Sequence, residues 1–341
     1  MSPKLKKLLS ALFIAASISA VVIIAFSNPE MGNGWEAISR LEIPWIGGLL
    51  LCWAAFAGFE TLGNQICLNK RGCRISFFRT FRTVLIGMYY SGITPGSAGG
   101  QPMQVNALRK EGVPVEYGTL SLTVRFVANQ FAICMMTLAL FLIHHDFVVQ
   151  QLGGAIWAAR IGWLINFVSV PLVLLAAFCR KWMQSLAVKL IRLGTKIRLV
   201  RDPEKATERA NEMLDTYHEA LNEMSRHPKE ILLQLLCSVC SLLGLMGSAV
   251  FTYYALGQHG TPWICILTLA CLLFVSASYT PLPGASGAQE GGFLLYFQGI
   301  FRDGTIGLGL LIWRFFTYYI WLITGVVAVL IPTKKKKIQR E

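Results

Sequence analysis

The sequence predicts an all-α polytopic membrane protein. About six full transmembrane helices are joined by two oppositely oriented re-entrant hairpins, arranged as an inverted repeat. Three observations carry that expectation. First, the 341 residues are 54% hydrophobic and only 14% charged, against about a quarter charged in soluble domains. Second, one glycine motif occurs twice, as Pro95-Gly96-Ser97-Ala98-Gly99-Gly100-Gln101 and as Pro283-Gly284-Ala285-Ser286-Gly287-Ala288-Gln289. Both copies fit P-G-x-x-G-x-Q. At nearly the same offset beyond them come Val124-Arg125-Phe126 and Trp313-Arg314-Phe315. Third, lysine and arginine gather in some connecting segments and avoid others, as membrane topology requires.

The elements follow from hydropathy. A spanning helix needs about 20 apolar residues. Leu8–Phe26, Ile43–Leu68, Tyr117–Ile143, Ala155–Phe178, Ile231–Leu256 and Thr305–Ile331 meet that need. Leu8–Phe26 follows a basic start and no small-x-small cleavage site follows it, so it reads as a retained signal anchor rather than a signal peptide. Phe81–Ile93 is too short to cross and runs into the first motif. Trp263–Tyr279 runs into the second, and Phe293–Phe301 is too short alone.

Basic residues then assign the sides. Lys4, Lys6 and Lys7, the stretch Lys70–Arg82, the stretch Arg180–Lys229, and Lys334–Lys337 are placed in the cytoplasm. His144–Gly154 and Gln258–Pro262 carry no lysine or arginine and are placed outside. Of the 31 basic residues, only Arg40 and Arg302 then fall outside, and only Arg125, Arg160 and Arg314 within spans. The net charge of +13 records topology and contact with anionic inner-leaflet lipids rather than nucleic-acid binding. The first motif lies between cytoplasmic segments and the second between outside segments. Each hairpin therefore enters and returns on its own side.

The expected organisation is a first membrane half over residues 1–179 with a hairpin at about 82–108, and a cytoplasmic amphipathic linker over 180–229. A second half covers 230–333 with a hairpin at about 263–301, and a basic cytoplasmic tail covers 334–341. In the linker, Trp182–Val200 mixes apolar and basic residues and is expected along the inner leaflet surface. Asp202-Pro203 opens a helix, with Ala210, Met213, Tyr217, Leu221 and Met224 at helical spacing. Both termini are expected in the cytoplasm of a bacterial cell, at its cytoplasmic (inner) membrane. In inverted repeats the substrate site lies near the midplane, between broken helices.

The candidate site residues come from the motifs and the buried charges. Pro95, Gly96, Gly99, Gln101, Pro283, Gly284, Gly287 and Gln289 read either as tight turns and close helix packing or as helix starts whose N–H groups face an anion. Ser286 and Gln289 also fit a capping box. Arg125 and Arg314 each cost about 2.5–3.5 kcal/mol to place mid-membrane. They read either as structural ion pairs or as the grip on a phosphate, which guanidinium binds through parallel hydrogen bonds. Glu60 and Glu290 are the carboxylates within spans or hairpins. Glu290 can cap its half-helix, bind a coupling cation or carry a proton, and Glu60 sits in a polar stripe with Asn64 and Gln65; both read either as structural or as coupling residues. Arg160, nearer an edge, reads as snorkelling to the interface. The nine cysteines read as small core residues. No catalytic or metal-binding constellation is found, and no cofactor is expected.

The P-G-x-x-G motifs, the downstream arginines and the basic middle loop resemble the lysylphosphatidylglycerol synthase transmembrane region, a flippase-like family of the multiple peptide resistance factor type. The resemblance covers nearly the whole chain. It implies a lipid flippase without the soluble lysyltransferase domain, since the sequence ends shortly after the last span. The expected function is transport of an anionic phospholipid or polyprenyl-phosphate-type lipid between leaflets, a role tied in this family to antimicrobial peptide resistance. The alternatives are a membrane region associated with aminoacyl-phosphatidylglycerol synthesis, or an intramembrane lipid-phosphate enzyme. The expected ligand is a membrane lipid with an anionic headgroup. A separate synthase or glycosyltransferase and a second copy of the chain are the partners left open.

Overall fold

The computed structural model describes residues 41–196, 203–302 and 304–331, and these residues form helices and turns with no strand. The helices are α1 (Ile43–Lys70), α2 (Phe77–Ile93), α3 (Gly100–Lys110), α4 (Val115–Ile143), α5 (His145–Leu152) and α6 (Ile156–Phe178). Then come α7 (Arg180–Lys196), α8 (Pro203–Ser225), α9 (Pro228–Ala255), α10 (Trp263–Ala277) and α11 (Ala288–Tyr296). The last, α12 (Ile306–Leu330), contains a π-helical turn at Phe315–Tyr319. Leu8–Phe26 and the basic tail lie outside the described residues.

Five segments are long and apolar enough to cross a membrane: Ile43–Lys70, Val115–Ile143, His145–Leu175, Pro228–Ala255 and Ile306–Leu330. Four of them coincide, within a few residues, with the apolar runs of the sequence; the fifth, His145–Leu175, begins ten residues before the expected Ala155–Phe178, because α5 adds a further apolar helix ahead of it. Each motif sits between two shorter helices. α2 and α3 flank the first, with Gly87 against Gln104 and Gly100 against Ser91, which makes the pair antiparallel. α10 and α11 flank the second.

The frame of the bundle is the pair α1 and α9, which run antiparallel over their whole length. At one end the Glu42 N–H donates to the Ala255 carbonyl at 2.9 Å. In the middle Gly48 lies under the Phe251 ring, and Gly244 lies against the Cys52 carbonyl and the Phe56 N–H. At the other end Arg71 pairs with Glu230 at 2.8 Å, both side chains buried. Without a hydrophobic force between helices in lipid, small residues that let backbones approach are what hold such a pair.

The main core lies between α4, α6, α9, α10, α11 and α12, and centres on Phe293, Phe297, Phe301 and Trp313. The Phe293 and Trp313 rings stack 4.9 Å apart. A smaller cluster joins α8 to the bundle, with Tyr217, Ala220, Leu221 and Met224 packed on Cys67, Leu120 and Val124. The Arg71 guanidinium also reaches the Ala220 carbonyl of that helix at 3.3 Å. Burial raises the Tyr217 phenol above its ordinary pKa.

The close α1–α9 approach makes a stability prediction. A Cβ at Gly244 would stand 2.8 Å from the Cys52 carbonyl, whereas one at Gly47 would meet nothing within 4 Å. Gly244→Leu is expected to cost about 1–3 kcal/mol, as overpacking does, and to lower the Tm of the detergent-solubilised protein. Gly47→Leu is expected to leave it unchanged. Equal Tm values for the two variants would mean that the α1–α9 contact does not limit stability.

Candidate functional site

Both motifs fold into the same turn. In the first, Gly96 (φ 57°) and Ser97 (φ 56°) are left-handed, and Ala98 N–H donates to the Pro95 carbonyl at 3.3 Å. In the second, Gly284 (φ 62°) and Ala285 (φ 52°) repeat that geometry, and Ser286 N–H donates to the Pro283 carbonyl at 3.2 Å. Two left-handed central residues make the mirror image of the common β-turn. Ser97 and Ala285 are the only non-glycine residues with positive φ among those described. Such a residue costs about 1–2 kcal/mol, so strain is stored at the same place in both copies. The two turns touch directly, through the Gly96 N–H and the Pro281 carbonyl at 3.0 Å.

The next glycine of each motif opens a helix, and its N–H is already occupied. Gly99 N–H donates to Thr94 Oγ1 at 2.9 Å. A Cβ on Gly99 would stand 2.6 Å from that threonine's methyl. Gly287 N–H donates to Glu290 Oε2 at 2.6 Å. The expected capping box at Ser286–Gln289 is not formed; only its return half is present, one residue later, from Glu290 to the Gly287 N–H. The Ser286 hydroxyl instead donates to the Pro283 carbonyl at 2.9 Å. The reach is three residues in both cases, and a carboxylate is the stronger acceptor for a helix-start N–H.

Between the turns lies a cavity of about 490 Å³. The first turn contributes Gly96 and Ser97, the second Gly284, Ala285 and Gln289, and α12 contributes Trp313, Arg314, Thr317 and Tyr318. Most of the remaining wall is apolar, with Phe56, Phe126 and Phe274 among the lining side chains. A smaller cavity of about 250 Å³ lies apart from the turns, between α2, α3 and the end of α12, beside Arg82, Lys110 and Glu111.

Arg314 is the cation of the larger cavity. Its Nε donates to Glu290 Oε1 at 2.7 Å and its Nη2 to the Gly284 carbonyl at 2.7 Å. The guanidinium lies 4.4 Å from the centre of the Tyr318 ring. Nη1 makes no hydrogen bond to the described residues. Tyr318 belongs to the π-helical turn that begins right after Arg314. Such turns often mark functional sites, and here the turn presents Tyr318 to both motifs. Its hydroxyl donates to the Gly92 carbonyl at 3.0 Å, and its ring fills the space a Cβ at Gly284 would need.

Arg125 sits elsewhere. Its Nη2 donates to Glu60 Oε1 at 2.6 Å and to Asn129 Oδ1 at 3.2 Å. Its Nη1 donates to the Gln234 carbonyl at 3.1 Å and to Ser238 Oγ at 3.0 Å. Glu60 also accepts from Asn129 and Ser241. The guanidinium is wrapped by α1, α4 and α9 and is not among the side chains that line the cavity. Gly63 leaves the room for it, since a Cβ there would stand 2.6 Å away. The two arginines that the sequence placed on either side of one phosphate therefore do not meet.

The structure thus brings Gly96, Gly284, Gln289 and Arg314 to one cavity, with Glu290 directly behind Arg314. Pro95, Gly99, Pro283 and Gly287 shape the turns. Gln101 is exposed and outside the lining, and Glu60 goes with Arg125. Arg160 is exposed with its guanidinium 4.9 Å from the Trp157 ring. Sequence reasoning missed Tyr318, one helical turn beyond Arg314. It also missed Gln130 and Asn166, which line the cavity. Their signal was present, as polar amides inside apolar runs.

The Arg125 surroundings predict how that pair behaves. Removing one partner of a buried ion pair costs about 3–5 kcal/mol. Arg125→Ala is expected to fold poorly, and Arg125→Ala/Glu60→Gln is expected to recover most of the lost thermal stability. A double variant no more stable than the single one would show that Arg125 does more than pair with Glu60.

The lysylphosphatidylglycerol synthase TM region family matches residues 8–325 of the chain. A protein from Archaeoglobus fulgidus named "UPF0104 membrane protein" is 26% identical over 319 residues, covering 91% of this chain and 93% of that protein. Together with the apolar helices, these likenesses make this a multi-pass membrane protein. The chain belongs to the lysylphosphatidylglycerol synthase transmembrane-region family.

Proposed function

We propose that this protein moves an anionic phospholipid or polyprenyl-phosphate-type lipid between the leaflets of a bacterial cytoplasmic membrane. The observation that carries this is the cavity lined by both motif turns and by Arg314, whose Nη1 makes no hydrogen bond to the described residues. Apolar walls suit acyl or prenyl chains, and a guanidinium suits a phosphate. The smaller cavity, beside Arg82 and Lys110, fits contact with anionic lipid on the cytoplasmic side.

On this reading α2–α3 and α10–α11 are re-entrant hairpins that enter from opposite faces, and both termini are cytoplasmic. The inverted repeat is supported by two features. The corresponding helices α1 and α9 pack antiparallel, and the two turns share one left-handed conformation. The turn residues Pro95, Gly96, Gly99, Gln101, Pro283, Gly284, Gly287 and Gln289 make the hairpin tips that the lipid headgroup passes. Glu290 is the coupling residue, because a phosphate at Arg314 competes with it for the same guanidinium. Released from Arg314, Glu290 keeps the Gly287 N–H as a partner. Glu60, locked in its own pair, plays the structural counterpart, and Arg125 stiffens the wall. The family match also fits a second reading, a membrane region associated with aminoacyl-phosphatidylglycerol synthesis that works beside a separate synthase.

Topology is tested by labelling. A cysteine at Gly260 is expected to react with an impermeant thiol reagent from outside, beyond the parent chain's own labelling, and one at Glu208 is not. A cytoplasmic Gly260 would make the second hairpin an ordinary connection and remove the inverted repeat.

Transport is tested in vesicles that contain a fluorescent phosphatidylglycerol, with folding checked separately. The wild type is expected to move the lipid. Arg314→Lys keeps the charge but loses the planar fork, and it is expected to be strongly impaired. Arg314→Ala is expected to be worse, by about tenfold or more, as for loss of a charge-assisted bond to a buried phosphate. Wild-type rates in a folded Arg314→Ala variant would remove the phosphate role. An inactive wild type that gains activity only with a synthase would favour the second reading.

A further inference from the structure

The helix pair α7–α8 leaves one surface uncovered, outside the cavity lining. α7 begins at Arg180, and Cys179 is the only residue between it and α6. Its first turn therefore lies where a spanning helix ends. One face of α7, with Met183, Ala187 and Ile191, is half-buried. Met183 packs on the cluster that joins α8 to the bundle, and Arg180 pairs with Asp215 of α8 at 2.5 Å. The other face is open. Trp182 and Leu186, one turn apart on it, are 64% and 49% exposed. Lys181, Lys189 and Arg192 flank them and are exposed too.

Charge divides the pair. α7 carries five basic residues and no acidic one. α8 carries six acidic residues, all exposed, on the side opposite its packed residues Tyr217, Leu221 and Met224. A surface that attracts α7 and repels the free face of α8 is an anionic one. Exposed tryptophan and leucine beside lysine and arginine are the composition of a helix that lies in a membrane interface, and the inner leaflet supplies the negative charge. An acidic protein offers the same charge, but the one-residue link to α6 sets Trp182 at the level of the lipid headgroups. What α7 holds in place is α8, and α8 sits on a joint. Its Ala220 carbonyl takes Arg71 Nη2 at 3.3 Å. The same guanidinium pairs with Glu230 of α9 at 2.8 Å and bonds the Cys67 carbonyl of α1 at 2.9 Å.

We infer that the open face of α7 is a docking surface for anionic lipid of the inner leaflet, separate from the transport cavity, and that this contact clamps α8 onto the α1–α9 joint. Trp182 and Leu186 enter the interface, and Lys189 and Arg192 take the headgroup charge. The sequence alone places α7 along the leaflet; the structure adds which face touches it and what the contact holds. Anionic lipid is then a regulator of the frame. The inference shares with the transport reading the cytoplasmic side of α7 and needs no transport to hold.

The test places the purified full-length chain in vesicles of brominated-chain phosphatidylcholine, alone or with an equal share of brominated-chain phosphatidylserine. Subtracting the Trp182→Phe fluorescence from the wild type isolates the quenching of that one indole. Trp182 is expected to be quenched strongly in the mixed vesicles and little in phosphatidylcholine alone. Each basic residue at an anionic surface is worth about fivefold in affinity. Lys189→Gln/Arg192→Gln keeps good helix formers and is expected to lower the docking equilibrium about 25-fold, which removes the difference between vesicles. Hydrogen exchange reads the clamp. The α8 amides are expected to exchange about tenfold more slowly in the mixed vesicles, and the double variant is expected to lose that protection. Equal quenching in both vesicles overturns the inference, because the contact then ignores headgroup charge. No quenching in either also overturns it and leaves the face to a protein or a second copy. So does α8 exchange that is the same in both vesicles. None of these readings involves Arg314 or the cavity, so an adverse result leaves the transport reading to its own assay.

Discussion

A guanidinium inside an apolar helical bundle must be compensated, and much of this structure is the arrangement that does so. Removing an ion from water costs several kilocalories per mole, and the attraction to a partner repays it only with good geometry and further hydrogen bonds. Glu290 supplies both at Arg314. One oxygen takes the arginine Nε at 2.7 Å and the other takes the Gly287 N–H at 2.6 Å. A single carboxylate therefore sets the start of α11, the second turn and the direction of Arg314. The Gly284 carbonyl, held outward by the left-handed turn, takes Nη2 at 2.7 Å. The same logic recurs away from the cavity. Arg125 with Glu60 ties α4 to α1, and Arg71 with Glu230 ties α1 to α9.

The turns depend on that compensation. Ser97 and Ala285 hold conformations that a side chain disfavours, and such strain persists only where the surroundings over-determine it. Here the surroundings are visible. Tyr318 packs its ring on Gly284 and bonds Gly92 beside the other turn, while Gly96 bonds Pro281 across the gap. Each turn is braced by the other half of the chain. The π-helical turn at Phe315–Tyr319 aims Tyr318 at both, so α12 acts as a strut between the motifs.

Much of this was legible in the sequence. Five apolar runs became five segments fit to cross a membrane, because spanning length and hydropathy leave little freedom. The left-handed turns were legible through Gly96 and Gly284. The scarcity of intramembrane carboxylates named Glu60 and Glu290 as partners for Arg125 and Arg314. What was not legible was which arginine would face the cavity. Equal offset from the two motifs suggested equal roles, but helix rotation and the neighbours on α1 and α9 decide where a side chain points. Asn129, Gln234, Ser238 and Ser241 collect around Arg125 from two helices far apart in sequence, and no local pattern reveals that. The cap also shifted by one residue, to Glu290, because an ionised carboxylate outcompetes an amide for a helix start.

The two motifs share the left-handed pair at the turn and differ in the charge that holds the helix start. At the first turn the helix-start N–H is held by the neutral Thr94 hydroxyl; at the second it is held by the ionised Glu290. Pro102 occupies the first motif's counterpart of Glu290, so no carboxylate there could have drawn Arg125 toward the turn. Arg125 instead found its partner on α1, at Glu60, whose counterpart in the second half is Ser248. A repeat that kept both pairs in register would have set two guanidiniums against one cavity. Like charges at that range repel unless an anion sits between them. With Arg125 neutralised in the frame and Arg314 shared between Glu290 and the cavity, the site has one cation and one competitor for it. For a protein proposed to pass a phosphate across rather than store it, a grip that its own carboxylate can reclaim is the arrangement that lets the lipid leave.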